Sequence, residues 1–423
     1  MGWVVEHEGH QLILVCIINS QKLRFVQTIW RHGDRAPSKL PYPRDKYDEK
    51  SWPRGWSMLT NMGMRQMYEL GTFYKIRYKN SGFVGREYNA KEVYIQSSES
   101  DRALQSAQAM LSGFYPPAES DLFLRSIFWQ PIPIHGSPKV GKDMMLKPTS
   151  FDCPAYDDEY DLVKEKIDTM LMQKYQDVVE FLQESTGYGE NITLRDVIST
   201  ADIQLELLHK LNDQPLWIAK KWPQYSNNST LDVILEIKRI QRLSQFTEPK
   251  LAKLRGGYLL GDWIKRLENI QNGTESRKLV MYSAHDGTLL ALMGTMGVLD
   301  GDMIPYASAL ILEVTEDDRG KYYVQMYYRK TGYGSIKTQK NEPNLIKLKF
   351  SCGDKCLLND FIDEMRPKAI LNKVDMYQEC GLEYCLREME GLPYCSSLST
   401  ALKSSLLLIL TTTTLLLVLN KLF

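Results

Sequence analysis

Apolar residues follow two rhythms along this chain. Leu23 to Trp30 (LRFVQTIW) is a short apolar run that stops at Arg31-His32-Gly33, which predicts a strand. Between Leu59 and Lys79 the period changes. Leu59, Met62, Met67, Leu70, Phe73 and Tyr74 share one face at about 100° per residue, which predicts a helix. Val93 to Gln96 reads as a second short strand, followed by a helix from Ser100 to Ser112. Asp158 to Glu184 and Leu194 to Leu211 have helical spacing, and the region 152–250 carries few strand signals. It is expected to form an inserted, mostly helical lobe. Gly256-Gly257 reads as a turn. Lys278 to Ser283 predicts a strand that ends at His285-Asp286, with a helix from Leu289 to Val298. Ala309–Thr315 and Tyr322–Arg329 flank Asp317-Asp318-Arg319-Gly320 as a hairpin. Strands alternating with helices predict an α/β fold with a mainly parallel central sheet flanked by helices.

Both ends depart from this pattern. Leu12 to Ile18 (LILVCII), followed by Asn19-Ser20, resembles the apolar region and exit of a signal peptide, although Glu6 and Glu8 stand where positive charge is usual. Residues 1–20 are expected to be that segment. Leu406 to Leu419 carries no charge, and Ser396-Ser397 with a polar spacer precede it, so 396–423 is expected to be a hydrophobic anchor segment. Either a lipid-anchor signal or a single span satisfies it. The expected division is therefore a core of 21–151 and 251–395, interrupted by the lobe at 152–250.

Composition narrows the function. The 423 residues hold 52 Lys plus Arg against 52 Asp plus Glu, so a general nucleic-acid binder, which needs a basic excess, is disfavoured. At 43% hydrophobic residues the chain is not disordered. Cys16 lies in the leader; Cys153, Cys352, Cys356, Cys380, Cys385 and Cys395 remain, an even number that suits an oxidising compartment. Spacing alone leaves their pairing open, although Cys352 and Cys356 could close a small loop. Zinc-ligand spacing is absent, so no metal is expected. Asn191, Asn227, Asn228 and Asn272 each begin a glycosylation triplet and are expected at the surface.

The chemistry gathers at strand ends. Beyond the leader the histidines are His32, His135, His209 and His285. His32 and His285 each follow a predicted strand, and in open α/β sheets ligands bind beyond the carboxyl ends of strands. Arg31 and Arg35 flank His32, and Asp286 follows His285. A third strand end supplies Arg102 near the start of a helix, where anions are favoured. Guanidinium forks match phosphate oxygens. Asp34 reads as structural, His135 as a loop residue, and His209 as a packing or surface residue.

Arg31-His32-Gly33-Asp34-Arg35-Ala36-Pro37 resembles the RHGxRxP signature of the histidine acid phosphatases, and Tyr282-Ser283-Ala284-His285-Asp286 resembles that family's His-Asp motif. Leu59-Thr60 with Gly63 and Gln66, Ser100-Asp101-Arg102, Trp129 to Pro133 and Pro305 to Ser308 extend the likeness, which runs from about Lys22 to Cys380. The resemblance implies a phosphoglycerate-mutase-like fold. It implies a metal- and cofactor-independent hydrolysis of phosphate monoesters at acid pH. His32 would be the nucleophile, Asp286 the proton donor, and Arg31, Arg35, Arg102 and His285 the phosphate ligands. It also implies Cys153–Cys380 and Cys352–Cys356 bridges, and allows a homodimer. One departure is Gly287, where close relatives often have Thr. The location expected is the secretory pathway, membrane-associated and extracellular or lysosomal. The alternative is a catalytically silent surface glycoprotein. A phytase would share RHGxRxP, but the neutral charge gives no support for a strongly basic site.

Overall fold

The computed structural model describes residues 3–6, 13–16, 21–139, 141–331 and 345–382. The rest of the expected leader, Cys385, Cys395 and the expected anchor segment 396–423 lie outside the described residues. Among those described, no helix is long and apolar enough to cross a membrane. Trp3–Glu6 pairs antiparallel with Ile13–Cys16.

The main sheet is built from β1 (Lys22–Arg31), β2 (Val93–Ser97), β3 (His135–Gly136), β4 (Leu279–Ala284), β5 (Ala309–Glu316), β6 (Tyr322–Arg329), β7 (Leu345–Lys347) and β8 (Cys356–Leu357). Its order is β7-β6-β5-β1-β4-β2-β3, with β8 beside β6. Neighbours among β1, β4, β2 and β3 run parallel. The β5–β6 hairpin adds to β1 antiparallel. β1 and β4 are near-continuous apolar runs because both faces of the sheet are covered. Side chains alternate between two cores. Phe25, Ile29, Val280 and Tyr282 enter one, and Val26, Trp30, Leu279 and Met281 enter the other.

The second core is closed by α1 (Asn61–Tyr74), continued by a π-helical turn at Lys75–Lys79, and by α2 (Asp101–Phe114). These two helices touch backbone to backbone. A Cβ at Gly71 would meet Met110 O at 1.9 Å, and one at Gly113 would meet Tyr68 O at 2.2 Å.

Between β3 and the last core helices lie α3 (Pro154–Lys174), α4 (Gln176–Thr186), α5 (Leu194–Thr200), α6 (Ile203–Leu208) and α7 (Thr230–Leu243). They share an apolar cluster that includes Leu171, Val178, Leu182, Val197, Val233, Ile234 and Ile237. Both long helices predicted here are broken. Tyr175 leaves helical dihedrals (φ −114°, ψ 28°) and its ring packs 5.0 Å from Tyr225. The second break falls at Ala201-Asp202.

The first core is covered by α8 (Pro249–Gln271) and α9 (Asp286–Met296), with α10 (Leu358–Met365) and α11 (Lys373–Glu379) following. Gly256-Gly257 is not a turn but lies inside α8. The reason is tertiary: a Cβ at Gly256 would meet Ala291 O of α9 at 2.3 Å, so the close crossing requires glycine there. Cys153 is joined to Cys380, and Cys352 to Cys356. Asn191, Asn227, Asn228 and Asn272 are all exposed.

Candidate active site

Three adjacent parallel strands end in register. Arg31 pairs with Ala284, and Ser97 with Ser283. The backbone amide of His32 then donates to Ala284 O at 3.0 Å, and that of Ser98 donates to Ser283 O at 3.0 Å. His32, His285 and Ser98 are thereby set side by side at the carboxyl end of the sheet. α2 begins just beyond, with Arg102 in its first turn.

The loop after β1 is held backbone to backbone against α1. A Cβ at Gly33 would meet Gly63 O at 2.4 Å, and one at Gly63 would meet Asp34 O at 2.2 Å. Thr60 caps α1 by accepting from Gly63 N at 3.0 Å. The Gly33 amide donates to Ser106 Oγ at 3.1 Å, and the Asp34 amide to Gln66 Oε1 at 2.8 Å. The buried Asp34 carboxylate accepts from Thr60 Oγ1 at 2.5 Å and pairs with His209 Nε2 at 2.6 Å. These contacts tie Asp34 to α1, and His209, expected as a packing or surface residue, ties α6's end to the loop. His135 lies in β3, exposed and stacked on Tyr94 at 4.7 Å.

The His32 ring is buried. Nδ1 lies 2.8 Å from Gly33 O, and Nε2 accepts from Arg102 Nε at 3.1 Å. A carbonyl at Nδ1 demands the ring proton there, so the Nε2 lone pair faces the arginine. Burial, then His285, Arg31 and Arg102, hold this imidazole well below its ordinary value. His285 is also held well below, by burial and then by Arg102 and Lys147. Its Nε2 shares a 2.7 Å hydrogen bond with Ser98 Oγ.

Cations surround the two rings. The Arg31 guanidinium lies 3.9 Å over the Tyr306 ring and donates to Ile304 O. Arg35 donates to Ala36 O at 2.7 Å and faces Asp202 Oδ2 at 4.0 Å. Asp202 in turn accepts from Lys238 Nζ at 2.9 Å. Arg102 is depressed by burial and then by Arg35, as crowded cations are. Asp286 accepts from Arg242 Nε at 3.1 Å. Burial opposes its ionisation, but Arg242, Arg31, His32 and His285 hold its carboxyl below the ordinary carboxylate range.

The structure therefore brings Arg31, His32, Arg35, Arg102, His285 and Asp286 to one place. Buried cations of fixed orientation around a neutral imidazole suit a phosphoryl group, whose charge is spread over several oxygens. Sequence reasoning did not single out Ser98, Tyr306, Asp202, Lys147 or Arg242. Tyr306 stands inside a segment that carries the family likeness and Ser98 just ahead of another, whereas Arg242 and Asp202 come from the helical region 152–250 and carry no local signature.

The sequence profile of the histidine phosphatase superfamily (branch 2) matches residues 22–329. The lysosomal acid phosphatase of Rattus norvegicus is 33% identical over 92% of this chain and 88% of its own. The prostatic acid phosphatase of Bos taurus is 32% identical over 86% and 89%. Among solved structures, the apo form of Hafnia alvei phytase superposes with a TM-score of 0.63 at 17% identity, covering 85% of this chain and 98% of that one, a likeness of fold. The profile, the relatives and the site geometry agree: the chain belongs to branch 2 of the histidine phosphatase superfamily.

Proposed function

We propose that this acid phosphatase hydrolyses phosphate monoesters through a phosphohistidine on His32. The observation that carries the reading is the setting of His32: Gly33 O lies against Nδ1, which leaves the lone pair on Nε2, and Nε2 faces the Arg102 guanidinium. Nε2 attacks phosphorus, the ester P–O bond breaks, and its electron pair stays on the leaving oxygen. Asp286 delivers the proton to that oxygen. Water then attacks the phosphohistidine, the P–N bond breaks, and the water proton passes to the Asp286 carboxylate. Arg31, Arg35, Arg102 and His285 bind the phosphoryl oxygens throughout. No cofactor and no metal ion has a part in this scheme.

Acid conditions favour this cycle for two reasons. The depressed pKa of His32 keeps it neutral at low pH. Asp286 must carry a proton to deliver it to the leaving oxygen, and its carboxyl, held below the ordinary carboxylate range, carries one only in acid. Activity is expected to fall well above neutrality.

A secretory-pathway or lysosomal location fits the relatives, two disulfides and four exposed asparagine acceptors. Cleavage of 1–20, glycosylation at Asn191, Asn227, Asn228 and Asn272, and attachment of 396–423 to a membrane belong to the same reading. So do the division into core and lobe and a homodimeric assembly. The test is phosphate release from an aryl phosphate between pH 3 and 9, with His32→Ala as control. Acid-peaked turnover lost in the control is the result expected. A folded protein with no turnover on a panel of phosphomonoesters would return the chain to a silent binding role.

A further inference from the structure

Arg242 lies in the last turn of α7, in the lobe, yet its guanidinium reaches the end of β4. Nε donates to Asp286 Oδ2 at 3.1 Å, Nη1 donates to Gln245 Oε1 at 2.7 Å, and the group stands 5.4 Å from the Phe246 ring centroid. Its approach passes over Gly287. A Cβ on that residue would come within 2.5 Å of Arg242 Nη2 and 2.9 Å of Thr149 Cγ2. The residue after the His-Asp pair and the lobe arginine are thus one steric unit: a side chain at 287 and the guanidinium in its present place exclude each other.

We infer that Arg242, admitted by the bare backbone of Gly287, is a positioning residue for Asp286: it orients the carboxyl and sets the pH range over which that carboxyl delivers a proton. The inference rests on Asp286 being the proton donor. Other charged or titratable groups also face this carboxyl. Arg31 and His32 approach from the end of β1, Arg35 from the loop after it, Arg102 from α2, and His285 from the preceding position. Those groups are assigned to the phosphoryl site, so their removal would confound binding with proton transfer. Arg242 comes from a different element and holds the carboxyl by a direct hydrogen bond. An opposite charge at this distance lowers a carboxyl by about one to three units. Losing it lets Asp286 keep a proton to higher pH.

The experiment is the pH dependence of kcat on an alkyl phosphate, whose leaving group needs a proton, beside an aryl phosphate, whose leaving group needs one less. In Arg242→Gln the alkaline limb on the alkyl substrate is expected to move up by about one pH unit or more. Gly287→Ala is expected to move it the same way, because the clashing atoms are side-chain tips that can swing aside without unfolding the site. The double variant should go no further than Arg242→Gln alone, and Arg242→Lys should stay nearest to the parent enzyme. Circular dichroism and Tm check that each variant is folded. Limbs that stay in place in both single variants would overturn the inference. Asp286→Asn separates this from failure of the underlying reading. It should depress alkyl turnover more than aryl turnover; equal loss on both would remove Asp286 as donor, and the inference with it.

Discussion

Arg102 Nε donates a hydrogen bond to His32 Nε2 at 3.1 Å, while Gly33 O occupies Nδ1 of the same ring at 2.8 Å. The carbonyl fixes the proton on Nδ1, and the arginine marks the side from which an anion enters. In the proposed cycle a phosphoryl group that takes this guanidinium as a ligand uncovers the lone pair that attacks it. His32→Ala is expected to lower kcat by at least about 10³-fold, since removing a nucleophile leaves only binding and charge stabilisation. Rapid quenching with labelled substrate should trap an acid-labile phosphoenzyme in the parent and none in the variant. A labelled protein band in the variant would place the nucleophile elsewhere.

Ser98 Oγ and His285 Nε2 are 2.7 Å apart in a buried setting. The Ser98 hydroxyl at Nε2 fixes the plane of the His285 ring. Ser98→Ala leaves a buried ring nitrogen without its partner, a loss of order 1–3 kcal/mol. The expected consequence is roughly a tenfold fall in kcat/KM, with a small change in Tm. Unchanged kcat/KM would show that packing alone orients His285.

Much of this architecture was legible from local pattern. β1 and β4 are read from sequence because burial on both faces makes them apolar runs, and the polar residues that end them form the candidate site. Arg31, His32, Arg35, His285 and Asp286 were found through motifs that follow those strand ends. What was missed depends on contacts distant in sequence. Arg242 meets Asp286 across 44 positions, and Arg35 faces Asp202 from the lobe. Gly256-Gly257 has the local signature of a turn, and only the crossing of α9 shows why it must be helix. His209 reads only as a packing or surface residue, because nothing near it in sequence names Asp34 as its partner.

The Cys153–Cys380 bridge ties the start of α3 to the end of α11 across 227 positions, whereas Cys352–Cys356 spans four. A cross-link that closes a long loop removes more unfolded-state entropy than one that closes a short loop. Replacing Cys153 and Cys380 by Ser is expected to cost about 2–5 kcal/mol and lower Tm clearly. Replacing Cys352 and Cys356 should cost less. Thermal melts of both double variants decide it, and the reverse ranking would show that native packing around the short bridge dominates.

Glu206 of α6 is wholly buried, stands beside the carboxyl of Asp45, and accepts from Gln214 Nε2 at 2.7 Å. Two carboxyls in contact in a buried site hold a shared proton, because both cannot ionise there. Burial chiefly, opposed by Gln214 and reinforced by Asp45, pushes Glu206 up to about 8. In the unfolded chain the same group titrates in the ordinary glutamate range, so between that range and about pH 8 the folded state binds the additional proton. Stability is therefore greatest below the unfolded pKa and is lost as pH rises through about 8. The pair joins the loop around Asp45 to α6, so acid conditions hold this part of the lobe against the core. Glu206→Gln keeps a permanent donor toward Asp45. It is expected to flatten the decline in Tm between pH 5 and 9, leaving the variant no less stable than the parent at the alkaline end. A variant whose Tm falls with pH as steeply as the parent's would assign that slope to other groups.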